Sequence, residues 1–348
     1  MYSLQHTVMV PHKSKEFFQG DTLLDLSYIF YRPEYETPFK KVMRKIGLRD
    51  VHQTLDAKFR IVEGVDLLEK TYALWLTPEL ILSSAQMECL LDRLPGLKWL
   101  YSHMAGTDHL DLEMFEKRGI MVSNNGDFSS RRVAEMVLAC IFAHAKRLQK
   151  HFAIQRKRKW QSLPCDDLHR QTVGIIGTGN IGREVAMLCR AIGMRVVGAS
   201  RNPRRFDDDP SPYHRIVQLD GGLDSLLAES DHVVVALALN GQTRSLIGGN
   251  ELNRMKRNSS LIIASRSAIV DEIALCKALT EGRVGGAYID PPSSMSRSIF
   301  SRTYRTPNLI FTHNSAANNP HAQEEACRNF LKGIKEMLDT GQPPNRVA

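Results

Sequence analysis

Three glycines in the middle of the chain are of the type and spacing that hold an anion on backbone amides. In TVGIIGTGNIGREVAMLCRAIGMRVVGASRNPRR, from Thr172 to Arg205, they fall at Gly177, Gly179 and Gly182 as G-x-G-x-x-G. In such a motif the first glycine permits a tight turn. The second lets N–H groups approach a pyrophosphate, and the third lets a helix pack on a strand. Thr178, Asn180 and Ile181 complete the turn and join the expected cofactor-binding set. The flanks supply the required context. Thr172, Val173, Ile175 and Ile176 are an apolar run fit for a buried strand, and Val185, Ala186, Leu188 and Cys189 follow at helical spacing. Met194 to Gly198 reads as a second strand. A strand–helix unit that binds nothing is the competing reading, and the complete context disfavours it. The helix N-terminus then faces the anion.

The end of that second strand speaks to which dinucleotide. An acid there holds a ribose 2′-hydroxyl. This chain has Ser200, followed by Arg201, Asn202, Pro203, Arg204 and Arg205. A serine with guanidinium groups suits a 2′-phosphate, which an acid would repel. Ser200, Arg201 and Arg204 are therefore read as an NADP(H)-preferring site, with NAD(H) possible, against the alternative of a solvated basic loop.

The elements that must position these residues fit a two-domain chain. Its 348 residues exceed one compact core. A hydrophobic content of 43% and a charged content of 24% are those of a globular protein. No apolar run approaches the roughly 20 residues that span a bilayer, and MYSLQHTVMVPHKSKEFFQG lacks a signal-peptide pattern. The six cysteines show neither pairing nor metal-ligand spacing, which points to a reducing, cytoplasmic setting and no metal. The net charge of +8 comes without a nucleic-acid module or interleaved aromatics, so no nucleic-acid partner is expected.

Before the glycine turn, strands are expected at Thr7–Val10, Leu23–Tyr31, Thr71–Leu76, Leu97–Ser102 and Ile120–Ser123. Helices are expected at Phe39–Ile46, Glu79–Leu94, Leu112–Lys117 and, as one long rod, from Ser130 to about Gln149. After it, strands are expected at His232–Leu237, Ser260–Ala264, Val284–Ile289 and Asn308–Thr312. Helices are expected at Leu223–Leu227, Asn250–Met255, Asp271–Thr280 and Pro320–Leu338. This alternation means α/β architecture with parallel sheets.

From LKWLYSHMAGTDHLDL through VAEMVLA, TVGIIGTGNIG, LNGQTRSLIGGNELNRMK and ASRSAIVDEIAL to GGAYID, PNLIFTHNSAA and GQPPNRV, the chain resembles the D-isomer-specific 2-hydroxyacid dehydrogenases. That group includes glyoxylate/hydroxypyruvate reductases and D-lactate and phosphoglycerate dehydrogenases. The resemblance is close to complete from Tyr72 onward. It implies two doubly wound parallel-sheet domains, a Rossmann-type dinucleotide domain (129–318) inserted in a flavodoxin-like substrate domain (1–128 and 319–348), and a homodimer. It implies a small carboxylate-bearing substrate gripped by the Ala105–Gly106 backbone and by Arg266, whose fork matches a planar carboxylate. It also places Asp290 near the nicotinamide. Leu237, Ala238 and Ser265 are included in the expected cofactor set.

Two positions depart from the family. Where relatives carry a glutamate after the aspartate, the segment DPPSSMS has Met295; where they carry the acid histidine, PNLIFTHN has Asn314. Asparagine cannot release a proton at neutral pH, and losing a positioned general acid costs on the order of 10²–10⁴-fold in rate. His313 stands one residue early, and a one-residue slip would bring it into place. Tyr288 and Tyr304 are further candidates by position, against plain core or strand packing, and Arg297, Arg302 and Arg305 could meet a second anionic group or simply form a solvated surface loop. The catalytic set is thus Arg266, Asn314 and His313. The first functional reading is an NAD(P)-dependent oxidoreductase acting on CH–OH or C=N groups of a 2-keto/2-hydroxy or imino acid with an atypical proton donor. The alternative is an inactive NADP(H)-binding homologue that works through a protein partner.

Overall fold

The computed structural model describes residues 6–9, 28–30, 52–55, 61–64, 73–76, 82–102, 104, 106–107, 109–126, 128–203, 211–290, 292–293, 301–317 and 322–348. The expected helix at Phe39–Ile46 and the site candidates Ala105, Arg204, Met295 and Arg297 lie outside them. The chain divides into two compact units, Met1–Phe128 with Asn319–Ala348, and Ser129–Asn318.

In the first unit, β1 (His6–Met9), β2 (Tyr28–Phe30), β3 (His52–Leu55), β4 (Ile61–Gly64), β5 (Ala73–Leu76), β6 (Trp99–Ser102) and β7 (Met121–Asn124) form one sheet. Its order is β4-β3-β1-β2-β5-β6-β7. β2, β5, β6 and β7 run parallel. β1 is antiparallel to β2 and β3, and β3 to β4. The antiparallel β3–β4 pair needs no crossover, and the chain between Leu55 and Ile61 is too short for one. Strands at 52–55 and 61–64 were not expected, because HQTL and IVEG carry little apolar periodicity.

The pleat sends alternate side chains to opposite faces, and in β5 and β6 both faces are buried. Leu74, Leu76, Leu100 and Val122 join Met87, Leu90 and Leu91 of α1 (Ser84–Asp92) and Phe115 of α2 (Leu112–Lys117). Trp75, Trp99 and Tyr101 face the other way. Phe330 of α9 (Ala322–Thr340) stacks on both tryptophans at centroid distances of 5.2 and 5.5 Å. The Ser83 hydroxyl accepts the Gln86 N–H while the Gln86 side chain accepts the Ser83 N–H, so α1 starts at 84 rather than at Glu79.

The second unit begins with α3 (Ser130–Ala145) and α4 (Leu148–Arg156). The expected single rod is broken between them, where Arg147 takes a φ of 50°. Seven parallel strands follow among the described residues: β8 (Thr172–Ile176), β9 (Arg195–Ser200), β10 (Arg215–Gln218), β11 (His232–Val235), β12 (Ser260–Ile263), β13 (Gly286–Ile289) and β14 (Leu309–Phe311). Helices α5 (Asn180–Ala191), α6 (Leu219–Glu229), α7 (Gly249–Arg254) and α8 (Glu272–Thr280) connect them. The strand order β10-β9-β8-β11-β12-β13-β14 reverses direction between β8 and β11. That is the doubly wound order, in which ligands bind beyond the carboxyl ends of the strands at the reversal point.

Alternation again assigns two cores. Val173, Ile175, Val234, Ile262 and Tyr288 pack with α3 and α5. Ile176, Val233, Val235, Leu261 and Ile263 pack with α6, α7 and α8. No helix among the described residues is long and apolar enough to cross a membrane.

Candidate functional site

The candidate site is the carboxyl edge of the second sheet, and its centre is the turn from β8 into α5. Gly177 has a φ of +103°, and a Cβ there would meet the Ala236 backbone oxygen at 2.7 Å. Gly182 sits so close under the turn that a Cβ would lie 2.0 Å from the Gly177 oxygen. These two glycines are needed for conformation and close packing. Gly179 differs: a Cβ on it would meet no atom within 4 Å. A side chain there would project into open space above the helix start, the space that a pyrophosphate occupies in this arrangement.

The first intrahelical bond of α5 runs from the Arg183 N–H to the Gly179 oxygen at 2.8 Å. The N–H groups of Asn180, Ile181 and Gly182 precede it, with no side-chain cap on the helix. They carry the positive end of the helix dipole. The residues present thus fit the diphosphate of a dinucleotide.

Beside the turn, the Gly177 N–H donates to the Ala199 oxygen at 2.9 Å, which brings the end of β9 alongside. Ser200 Oγ accepts the Asn202 N–H at 3.2 Å. Arg201 is exposed, and its guanidinium makes no ion pair among the described residues. On the other side of the turn, Leu237 and Ala238 follow β11, and the Thr243 hydroxyl donates to the Ala238 oxygen at 2.8 Å. Ser265 follows β12, and its hydroxyl donates to the Val235 oxygen at 3.2 Å. Half-buried Arg266 comes next and caps a short 3₁₀ turn, Ser267–Ile269.

The far end of the edge is organised by Asp290. Its Oδ1 accepts the Thr312 hydroxyl at 2.8 Å and the Ser315 N–H at 3.0 Å, and its Oδ2 accepts the Ala316 N–H at 2.9 Å. The turn gripped in this way contains His313 and Asn314, both exposed, and Asn314 is left-handed with a φ of 57°. His313 packs edge-on against Phe311 at 5.7 Å, and Tyr304 does so at 4.8 Å. Tyr288 is spent elsewhere. It is 4% exposed, Gln149 donates to its hydroxyl at 3.1 Å, and burial pushes its pKa upward, so it is no ready acid. Arg302 and Arg305 are exposed on the 3₁₀ turn Arg302–Arg305. A small cavity of about 20 Å³ lies under this end, lined by Val137, Cys140, Ala264, Asp290, Thr312 and Ala316. Burial, then the Asp290 charge, pushes the Cys140 thiol up to about 12, so it stays protonated.

One fold edge therefore collects Gly177 through Gly182, Ser200, Arg201, Leu237, Ala238, Ser265, Arg266, Asp290, His313 and Asn314. Gly106 belongs to the first unit, in the loop after β6, where it is half-buried. Sequence reasoning missed Thr312, Ser315 and Ala316 as partners of Asp290, and missed Gln218 at the end of β10. None of these carries a motif, since their roles arise only when neighbouring strand ends meet.

The sequence model of the family described as "D-isomer specific 2-hydroxyacid dehydrogenase, NAD binding domain" matches residues 138–316. The chain is 32% identical over 290 residues to a glyoxylate reductase of Thermococcus litoralis, covering 81% of this chain and 86% of that protein. It is 34% identical over 281 residues to a glyoxylate reductase of Aeropyrum pernix, covering 75% and 80%. Among solved structures, the TT0316 protein of Thermus thermophilus superposes with a TM-score of 0.69 at 28% identity, covering 89% of this chain and 96% of that one. An acyclic imino acid reductase solved with NADPH and D-Arg shares the fold, with a TM-score of 0.69 at 24% identity over 81% of this chain and 87% of that one.

Proposed function

The chain belongs to the D-isomer-specific 2-hydroxyacid dehydrogenase family, and from that premise we propose that it is an NADP(H)-preferring oxidoreductase acting on a small 2-oxo, 2-hydroxy or imino acid. The observation that carries the proposal is the Gly177–Gly182 turn, with Gly179 open above three helix-start N–H groups. Ser200 and Arg201, with no carboxylate at the end of β9, support the phosphorylated cofactor. The bound dinucleotide supplies or accepts a hydride.

The chain's own residues then have distinct tasks. The N–H groups of Asn180, Ile181 and Gly182 hold the diphosphate. Arg266 orients the substrate carboxylate, a task for which a fixed bidentate donor suits a planar acceptor. The Ala105–Gly106 backbone is proposed to share that grip. Asn314 donates or accepts a hydrogen bond at the reacting group but yields no proton. An iminium substrate already carries its proton, so it needs orientation rather than acid catalysis. That match favours a C=N substrate over a plain ketone. If a ketone is reduced, His313 is the titratable neighbour on the same turn. A homodimer is part of this proposal, supported by the exposed apolar side chains Leu148, Phe152 and Trp160 on and after α4.

A second reading, an inactive NADP(H)-binding homologue that acts through a protein partner, is favoured by Asn314 at the acid position. NADPH consumption separates the two. The purified protein is assayed with a panel of 2-oxo acids, alone and with added ammonia or methylamine. Turnover that requires the amine supports imine reduction. Turnover without amine supports ketone reduction through another donor. Micromolar NADPH binding with no turnover on any substrate supports the second reading, and absence of NADPH and NADH binding refutes both.

A further inference from the structure

At the edge of the second sheet one side chain from a neighbouring strand reaches into the turn after β9. Gln218 is the last residue of β10, and the parallel register sets it opposite Ser200. Its Nε2–H donates to the Arg201 carbonyl at 2.9 Å. The next peptide turns so that the Asn202 N–H donates to Ser200 Oγ at 3.2 Å. A hydroxyl that accepts from Asn202 still has its own proton, and among the described residues it donates no hydrogen bond. Phosphate oxygens only accept, so this proton is of the right polarity for a phosphate monoester. The carbonyl of Arg201, which would otherwise be free to turn toward an incoming anion, is held by the amide.

We infer that Gln218 is a positioning residue for cofactor selection. It ties back the Arg201 carbonyl and so presents the Ser200 hydroxyl and the Arg201 guanidinium together to a ribose 2′-phosphate. The inference rests on the proposed reading of Ser200 and Arg201 as the 2′-phosphate site. It adds that selectivity is set from β10 as well as from β9. The amide holds the backbone that presents the 2′-phosphate donors, and NADH carries no such phosphate, so its loss acts on NADPH and spares NADH.

The test is a fluorescence titration of the full-length protein with NADPH and NADH, for wild type, Gln218→Ala and Gln218→Glu, with thermal melts of each. Wild type is expected to bind NADPH at least tenfold more tightly than NADH. Gln218→Ala removes one hydrogen bond, and NADPH affinity should fall by about 3- to 10-fold with NADH affinity and melting temperature unchanged. Gln218→Glu replaces the donor by an anion beside the site and should exceed the alanine loss for NADPH alone. Equal losses for both cofactors, or no loss for either, overturn the inference while leaving the Ser200–Arg201 reading in place. A wild type that binds both cofactors equally overturns that reading, and the inference falls with it.

Discussion

Asp290 offers the most demanding test of how the candidate site is built. Its carboxylate receives three donors at 2.8 to 3.0 Å, all from the six residues after Phe311. Bonds to a charged acceptor contribute roughly 1.5–3 kcal/mol each when buried. Asp290 is only half-buried, and the turn amides can rehydrate when the acceptor is lost. A discounted total of about 2–4 kcal/mol is therefore expected for Asp290→Ala. Asp290→Asn keeps one oxygen for Thr312 and Ser315 but sets an N–H₂ against the Ala316 N–H, and should cost roughly 1–2 kcal/mol. Thr312→Val removes a single donor and should cost about 1 kcal/mol. Urea unfolding gives the energies. Hydrogen exchange gives their location, because peptides covering residues 312–317 should lose protection in the same rank order while β8 and α5 peptides do not. The reasoning is refuted if Asp290→Ala matches wild type in both measurements, or if NADPH affinity collapses with exchange unchanged. The second outcome would make Asp290 a direct cofactor contact and not a clamp.

Gly182→Ala should cost at least about 2 kcal/mol, because overpacking forces backbone apart and its Cβ would lie 2.0 Å from the Gly177 oxygen; native melting with intact NADPH binding would contradict this. His232, fully buried between Ser260 Oγ and Gln171 Oε1, has its pKa lowered by burial to about 3. The folded ring stays neutral, so its contribution is complete above the unfolded pKa near 6.5 and is lost as pH falls from there toward about 3. Urea unfolding at pH 7, 6, 5 and 4 should show wild type losing up to roughly 1.4 kcal/mol per unit from this group, and His232→Gln should show a shallower slope; identical slopes would count against it. Restoring the family pair, Met295→Glu with Asn314→His, should raise 2-oxo acid reduction by on the order of 10²-fold or more, read as NADPH consumption without amine, and no gain would mean that the reacting end has diverged beyond these two positions.

The second unit was largely legible in the sequence because its strands are buried on both faces and read as short apolar runs. TVGII was found with both ends in place, and HVVV and SLII with their C-terminal ends two and one residues earlier than expected. The glycine motif was legible because each glycine answers a local demand, such as the 2.0 Å approach of Gly182 to Gly177. The antiparallel edge at 52–64 was hidden, since HQTL and IVEG do not alternate. β10 was hidden for a similar reason: Arg215 and Gln218 at its ends are exposed, and its middle is half-buried. The break in the α3–α4 rod was hidden as well, because neither Gly nor Pro marks it and Arg147 takes the left-handed conformation instead. At the site, positions on one segment were legible and bonds between segments were not. Asp290 was singled out by motif, yet its three partners lie 22 to 26 residues downstream. A motif names the acceptor and says nothing about which strand end will bring the donors.

That distinction bears on which functional reading the geometry favours. The turn that carries the left-handed Asn314 is held by three bonds from its neighbours Thr312, Ser315 and Ala316 to one carboxylate. A left-handed non-glycine residue costs of order 1–3 kcal/mol, least for asparagine. The Asp290 clamp is of the size that offsets it. Asparagine at 314 therefore suits the backbone as well as the chemistry: it tolerates the conformation and offers both a donor and an acceptor. A histidine there would have to take the same φ of 57°. In the proposed imine reading, the clamp would present this polar group in a fixed orientation to a substrate that needs no proton donor. Asn314→Gly separates conformation from chemistry, since it accepts the φ but loses the amide. If imine turnover survives in Asn314→Gly with unchanged kcat, the side chain has no role in the reaction and the substrate must be oriented by its carboxylate grip instead. A fall of about tenfold or more in kcat, with NADPH affinity and the protection of residues 312–317 preserved, is the result expected under the proposed imine reading.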